Sequence, residues 1–166
     1  MARFTTSLLT LTSSDLWKIA GSLKAGVERE SNYRRIQRFL SDYDVDFTVL
    51  GGLLLHLLPQ SPPYEIVVDR TEWYFGETPV NILMVGIVHE GMAFPIAWRG
   101  LSGEGSSSAE AQTKILERFL EVVEPESIKV ITADREFISV PWMKRLKELG
   151  IPFAIRIRSD RRIGEV

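Results

Sequence analysis

Residues 128–135 read IKVITADR, an apolar run that ends on Asp134, and what flanks this run decides the fold. An unpaired buried carboxylate is costly, so a strand that ends on one is normally served by a cation, a hydrogen-bond network or an opening to water. Upstream, Ile115, Leu116, Phe119, Val122 and Val123 recur at helical spacing until Glu124-Pro125 breaks the pattern. Downstream, 139–149 reads as a second helix, with Pro141 tolerated in its first turn and Gly150 as its stop. A strand is then expected over 153–158, where Phe153, Ile155 and Ile157 alternate with Ala154, Arg156 and Arg158, so it should be half exposed at a sheet edge.

Working back toward the N-terminus, strands are expected over 64–69, 80–89 and 92–98, the last two joined by a tight turn at Glu90-Gly91. The element order becomes β, β, β, α, β, α, β. Right-handed crossovers then place the fourth strand beside the first and the fifth beyond it, giving an α/β fold with a five-stranded mixed sheet of order 3-2-1-4-5. Asp69 closes the first strand and Asp134 the fourth, so both carboxylates are expected at the carboxyl ends of neighbouring parallel strands, where open α/β sheets bind ligands. Before the sheet, helices are expected over 14–25, capped by Ser13 or Ser14, over 31–41, and over 47–58, ending at Pro59. The break PQSPP divides an N-terminal helical region, 1–58, from a catalytic-type domain, 59–166.

The 166 residues are 45% hydrophobic and 25% charged, as in an ordinary soluble domain. There is no cysteine, which excludes a disulfide framework, a thiolate zinc site and a cysteine nucleophile. MARFTTSLLT is too polar for a secretory leader and no apolar run reaches the length of a membrane span, so a cytoplasmic protein is expected. The net charge of −2 hides an asymmetry: residues 1–40 carry +4, residues 151–166 carry +2, and the centre carries −8. The split suggests basic arms beside an acidic site, a solvated charged face being the plainer reading. GLSGEGSSS, at 100–108, lacks the Gly-Lys-Ser/Thr ending of a phosphate loop and reads as a connector, with Ser107 and Glu110 at capping-box spacing.

Two strand-end carboxylates repel each other, and a hard divalent cation between them removes the cost. Oxygen-only ligands favour Mg²⁺ or Mn²⁺ over zinc, and Mg²⁺ commonly takes one or two protein carboxylates. Such ions serve phosphodiester cleavage and strand transfer. The bland alternative pairs each aspartate with the arginine that follows it, Asp69-Arg70 and Asp134-Arg135. Neighbouring strand residues point to opposite faces, which makes that pairing awkward.

The stretch VVDRTEWYFGETPVNILMVGIVHEGMAFPIAWR, followed by ADREF and GIPFAIRIR, resembles the bacterial DDE transposases of the insertion-sequence-four family, and NYRRIQRFL resembles that family's N-terminal part. The resemblance runs from about Tyr33 to about Arg158. It implies a ribonuclease-H-like core that cuts and rejoins double-stranded DNA at transposon ends, with Mg²⁺ or Mn²⁺ held by Asp69, Asp134 and a glutamate. That glutamate belongs to a later helix, in a signature of tyrosine, arginine, glutamate and lysine after a β-rich insertion. The sequence reaches Val166 without such a signature, and Glu165 does not supply it. The expectation is therefore a truncated core, weakly active or inactive alone. The alternative is a non-catalytic DNA-binding or dimerising module that interferes with a full-length transposase. A bacterial, nucleoid-associated location and self-association through the edge of the fifth strand accompany both.

Arg34, Arg35 and Arg38 share a helix and suit phosphate contact, a solvated face being the plainer reading. Trp73 is expected to pack rather than stack on a base, and Trp142, in phase with Leu146 and Leu149, to lie in the core. Glu136 reads as an exposed loop residue, and Asp42, Asp44 and Asp46 as a solvated linker. His56 and His89 are too far apart in sequence to point to zinc. A two-aspartate phosphatase is disfavoured because Thr71 stands where its nucleophile motif needs a second aspartate.

Overall fold

The computed structural model describes residues 2–23, 26–101 and 107–157, and the chain divides by contact into two compact units, Met1–Val45 and Asp46–Val166. The expected division after residue 58 marks where helix gives way to sheet; by contact, the helix before it groups with the sheet.

The first unit holds α1 (Ala2–Leu11), α2 (Leu16–Ser22) and α3 (Arg29–Asp42). Ile19, Ala20 and Ile36 are its buried centre, with Phe4, Leu8, Leu16, Leu23 and Tyr33 around them. The cap of α2 is neither Ser13 nor Ser14 but Asp15, whose carboxylate accepts from the Trp17 and Lys18 amides at 2.9 and 3.2 Å. A carboxylate one residue nearer the helix reaches both free N–H groups. The helix expected over 31–41 begins earlier, at Arg29, whose Nε donates to the Trp17 carbonyl at 2.8 Å.

The second unit opens with α4 (Phe47–Leu57), followed by β1 (Tyr64–Phe75), β2 (Thr78–His89), β3 (Met92–Leu101), α5 (Ala109–Leu120), β4 (Ile128–Ala133), α6 (Val140–Glu148) and β5 (Phe153–Ile155). Asp46 is not a bystander in a linker: it caps α4, accepting from the Thr48 and Val49 amides at 3.1 and 3.0 Å. The sheet order is β3-β2-β1-β4-β5, with β1/β2 and β2/β3 antiparallel and β1/β4 and β4/β5 parallel. Both the α/β class and the strand order 3-2-1-4-5 expected from right-handed crossovers are found. Ile66, Val68, Leu83, Val85, Ile87 and Ile131 line one face of the sheet and are buried in one cluster with Ile115, Leu116 and Phe119 of α5 and Trp142 and Leu146 of α6. The other face carries Glu65, Asp69 and Thr132, all exposed.

Three elements differ from the sequence reading, each for a physical reason. β1 does not stop at Asp69 but continues to Phe75, because its ladder with β2 runs to Phe75↔Thr78 while its ladder with β4 ends at Val68↔Ala133. Gly76, at φ +63°, closes this hairpin. β5 is described only as Phe153–Ile155: β4 ends at Ala133, whose carbonyl accepts the Arg156 amide at 3.0 Å, and no β4 residue remains to pair beyond it. Arg158 and residues 102–106 lie outside the described residues. Finally, α5 is capped by Ser108, accepting from the Ala111 amide at 3.2 Å, so Ser107 and Glu110 form no capping box. Glu110 instead pairs with Lys114 one turn on, at 2.6 Å.

Candidate active site at the ends of the β1 and β4 pairing

Val68 and Ala133 are the last residues paired between β1 and β4, and Asp69 and Asp134 each follow one residue later. Asp69 remains in β1, opposite Met84 of β2. Asp134 leaves β4 in extended geometry, φ −80° and ψ 172°, so strand alternation carries through it. Both aspartates thus fall on the same side as Val67 and Thr132, opposite the core residues Ile66 and Ile131. Neighbouring strands run about 4.8 Å apart, which sets the scale of separation of these two backbones. Both side chains are exposed. Asp69 Oδ1 accepts the amide of Arg70 at 2.8 Å, and the Asp134 carbonyl accepts the Phe137 amide at 3.0 Å to form a 3-10 turn over Arg135–Phe137.

The arginine after Asp69 belongs to the opposite face. Arg70 Nε donates to both oxygens of Glu136, at 3.2 and 3.0 Å, and its Nη1 donates to Glu72 at 2.8 Å and to Asn81 Oδ1 at 3.5 Å. The side chains of Arg70 and Glu136 are 16% and 22% exposed, so Glu136 is not the exposed loop glutamate expected from sequence but half of a largely enclosed ion pair. Hydrogen bonds to Glu72 and then to Glu136 push the guanidinium further above its ordinary range, and Arg70 stays cationic.

This pairing extends into a polar network. Ser107 Oγ donates to Glu136 at 3.4 Å, Gln112 Nε2 donates to Ser107 Oγ at 3.0 Å, and Ser139 Oγ donates to Gln112 Oε1 at 3.5 Å. Asn81, Ser107 and Gln112 are all buried. The sequence reading gave none of these three a part in such a network, Ser107 being read as a helix cap, although the other two left a signal. Gln112 is in phase with the apolar stripe of Ile115, Leu116 and Phe119, and Asn81 with that of Leu83, Val85 and Ile87; a polar residue inside an apolar stripe needs a buried partner.

Among the described residues no group of three or more His, Cys, Asp or Glu side chains is arranged to hold a metal ion. The site is a pair of exposed carboxylates on one rim, whose donor set of oxygens suits a hard divalent cation retaining most of its waters. His56 is exposed on α4, and His89 Nδ1 meets Gln60 at 2.8 Å. Trp73 is 44% exposed, four residues along β1 from Asp69 and on the same face, rather than packed as expected. Trp142 is fully buried, as expected. In the first unit, Arg34 pairs with Glu30 at 3.1 Å, while exposed Arg35 and Arg38 line a shallow groove with Phe39, Asp42 and Tyr43.

No family model and no curated protein matches the chain. Among solved structures it is similar to the HTLV-2 integrase catalytic core domain in complex with magnesium (dimeric form), at 12% identity over 59% of this chain and 63% of that one, with a TM-score of 0.40. A chain of the simian T-cell lymphotropic virus intasome in complex with PP2A regulatory subunit B56 gamma is similar at 14% identity over 82% of this chain and 46% of that one, with a TM-score of 0.44. The large terminase of a thermophilic bacteriophage is similar at 15% identity over 59% and 24%, with a TM-score of 0.36. The chain spans less than two thirds of each. These likenesses concern the path of the backbone, and the functional argument rests on the residues described above.

Proposed function

We propose that the chain carries the two-aspartate part of a DDE-type polynucleotidyl transferase, of the kind found in the bacterial insertion-sequence-four transposases that its motifs resemble, with double-stranded DNA as substrate. One observation carries the reading: Asp69 and Asp134, 65 positions apart in the sequence, follow the last residue pair of two parallel strands and are both exposed. A structural ion pair would have used Arg70 or Arg135 to neutralise them, yet Arg70 is committed to Glu72 and Glu136. Asp69 and Asp134 would hold Mg²⁺ or Mn²⁺, which when bound supplies activation of a nucleophile and stabilisation of the leaving oxygen in phosphodiester cleavage. The chain's own part is to present two fixed oxygen donors at a rim open to a DNA strand. With no third carboxylate joining them among the described residues, weak turnover is expected of this polypeptide by itself. A location with the bacterial chromosome and self-association belong to the same proposal, and no described helix is long and apolar enough to cross a membrane.

A second reading, a non-catalytic DNA-binding or dimerising module, is favoured by exposed Arg35 and Arg38 beside Tyr43 on α3. Nicking of supercoiled plasmid in Mn²⁺ separates the two. Slow metal-dependent nicking abolished by Asp69→Ala and by Asp134→Ala supports the first. Nicking that survives Asp134→Ala overturns it, and DNA binding with no nicking under any metal supports the second.

A further inference from the structure

We propose that Arg70, acting through Glu136, is a positioning residue that holds the Asp134 turn against Asp69; the proposal rests on the two-aspartate reading above. The backbone ladder between β1 and β4 ends at Val68↔Ala133, one residue short of both carboxylates. Past that point the two segments are tied by Arg70, next after Asp69, and Glu136, two residues after Asp134, through bonds of 3.0 and 3.2 Å from one Nε to both carboxylate oxygens.

The geometry favours a mechanical role over an electrostatic one. Arg70 lies on the core side of the sheet while Asp69 lies on the other. Its single charge faces two carboxylates, Glu72 and Glu136, so the cluster adds no net positive field to the rim. What it adds is direction. A guanidinium is a rigid planar fork, and this one is fixed at Nη1 by Glu72 and Asn81 on the β1/β2 side, leaving Nε to set the position of Glu136. Glu136 is held from behind by Ser107, which is held by Gln112 of α5, which in turn receives the hydroxyl of Ser139 at the start of α6. The turn bearing Asp134 is thereby anchored to β1, α5 and α6 at once, although its own backbone has left the sheet. In metal sites, residues that orient the ligands in this way typically alter metal affinity about 10- to 100-fold when removed.

The test is Mn²⁺ binding, followed by electron paramagnetic resonance, in the whole chain carrying single substitutions. Wild type should bind Mn²⁺, Asp69→Asn and Asp134→Asn should abolish binding, and Arg70→Gln should weaken it roughly 10-fold. Should Arg70→Gln fail to fold, Glu136→Gln decides, with Glu72→Gln as its charge-matched control. Both remove one negative charge from the same cluster, but only the first frees the turn. Weaker Mn²⁺ binding in Glu136→Gln than in Glu72→Gln, with faster amide hydrogen exchange over 134–138, supports the proposal. Equal Mn²⁺ affinity in these two variants, with wild-type binding still dependent on Asp69, overturns the positioning role alone. Binding that ignores Asp69→Asn, or no binding by wild type, overturns the two-aspartate reading and the positioning role with it.

Discussion

A Cβ on Gly86 of β2 would stand 2.8 Å from the carbonyl oxygen of Phe94 on β3. The pairing register shifts between Val85 and Gly86, so the two backbones approach closely there, and the carbonyl cannot move without disturbing the ladder. Gly86→Ala should destabilise the second unit by about 1–3 kcal/mol, the usual cost of overpacking a fixed site. Gly52→Ala in α4, where a Cβ meets nothing within 4 Å, should be neutral or stabilising by up to about 1 kcal/mol. Urea unfolding of the two variants checks the contrast.

Asp46 satisfies two free amides at the start of α4. Asp46→Ala should cost about 1 kcal/mol in stability and Asp46→Asn much less, since asparagine keeps the accepting oxygen. The denaturation midpoints of the two variants give the comparison.

Lys114 donates to Glu110 at 2.6 Å and holds its carboxyl below the ordinary glutamate range. A folded value below the unfolded one contributes stability that is present above the ordinary carboxylate range and lost as pH falls through the depressed value. Both side chains are largely exposed, so the effect is small. The melting temperature of Glu110→Gln should lie slightly below wild type at neutral pH, and the two should converge in acid once wild-type Glu110 is protonated.

Arg35 and Arg38 border one groove, whereas Arg34 is engaged by Glu30. If α3 meets the DNA backbone, Arg35→Glu with Arg38→Glu should reduce the slope of log affinity against log salt by about 2, and Arg34→Gln by less. Fluorescence anisotropy across a salt series measures both, and unchanged slopes would exclude this helix from the interface.

The sheet was readable because its signals are local. Residues 128–133 make one short, mostly apolar strand, and Glu90-Gly91 takes positive φ at both positions, as a two-residue hairpin turn needs. The right-handed crossover then left one order for the five strands. The run of β1 past Asp69 was hidden because Arg70 and Glu72 interrupt its apolar alternation, and the cross-strand ladder to β2 sustains it instead. Helix α1 was hidden too, since Phe4 and Leu8 pack on the small core of the first unit while Leu9 and Leu11 are exposed, which leaves a short apolar stripe. At the site, Asp134 was legible as the carboxylate that follows β4, whereas Asp69 lies inside β1 and marks only where the pairing with β4 ends; the commitment of Arg70 to Glu136 spans 66 residues, and no spacing rule reaches that far.

Among the described strands, β4 pairs with β1 up to Val68; from Asp69 onward the backbone ladder continues through β2 and β3, and past Glu72 through β2. Flexural stiffness therefore drops along the line that carries Asp69. The acidic rim lies on a crease between a broad, helix-backed slab and a narrow tongue ending at Gly76, so any bending of that tongue will be felt first at the carboxylate itself.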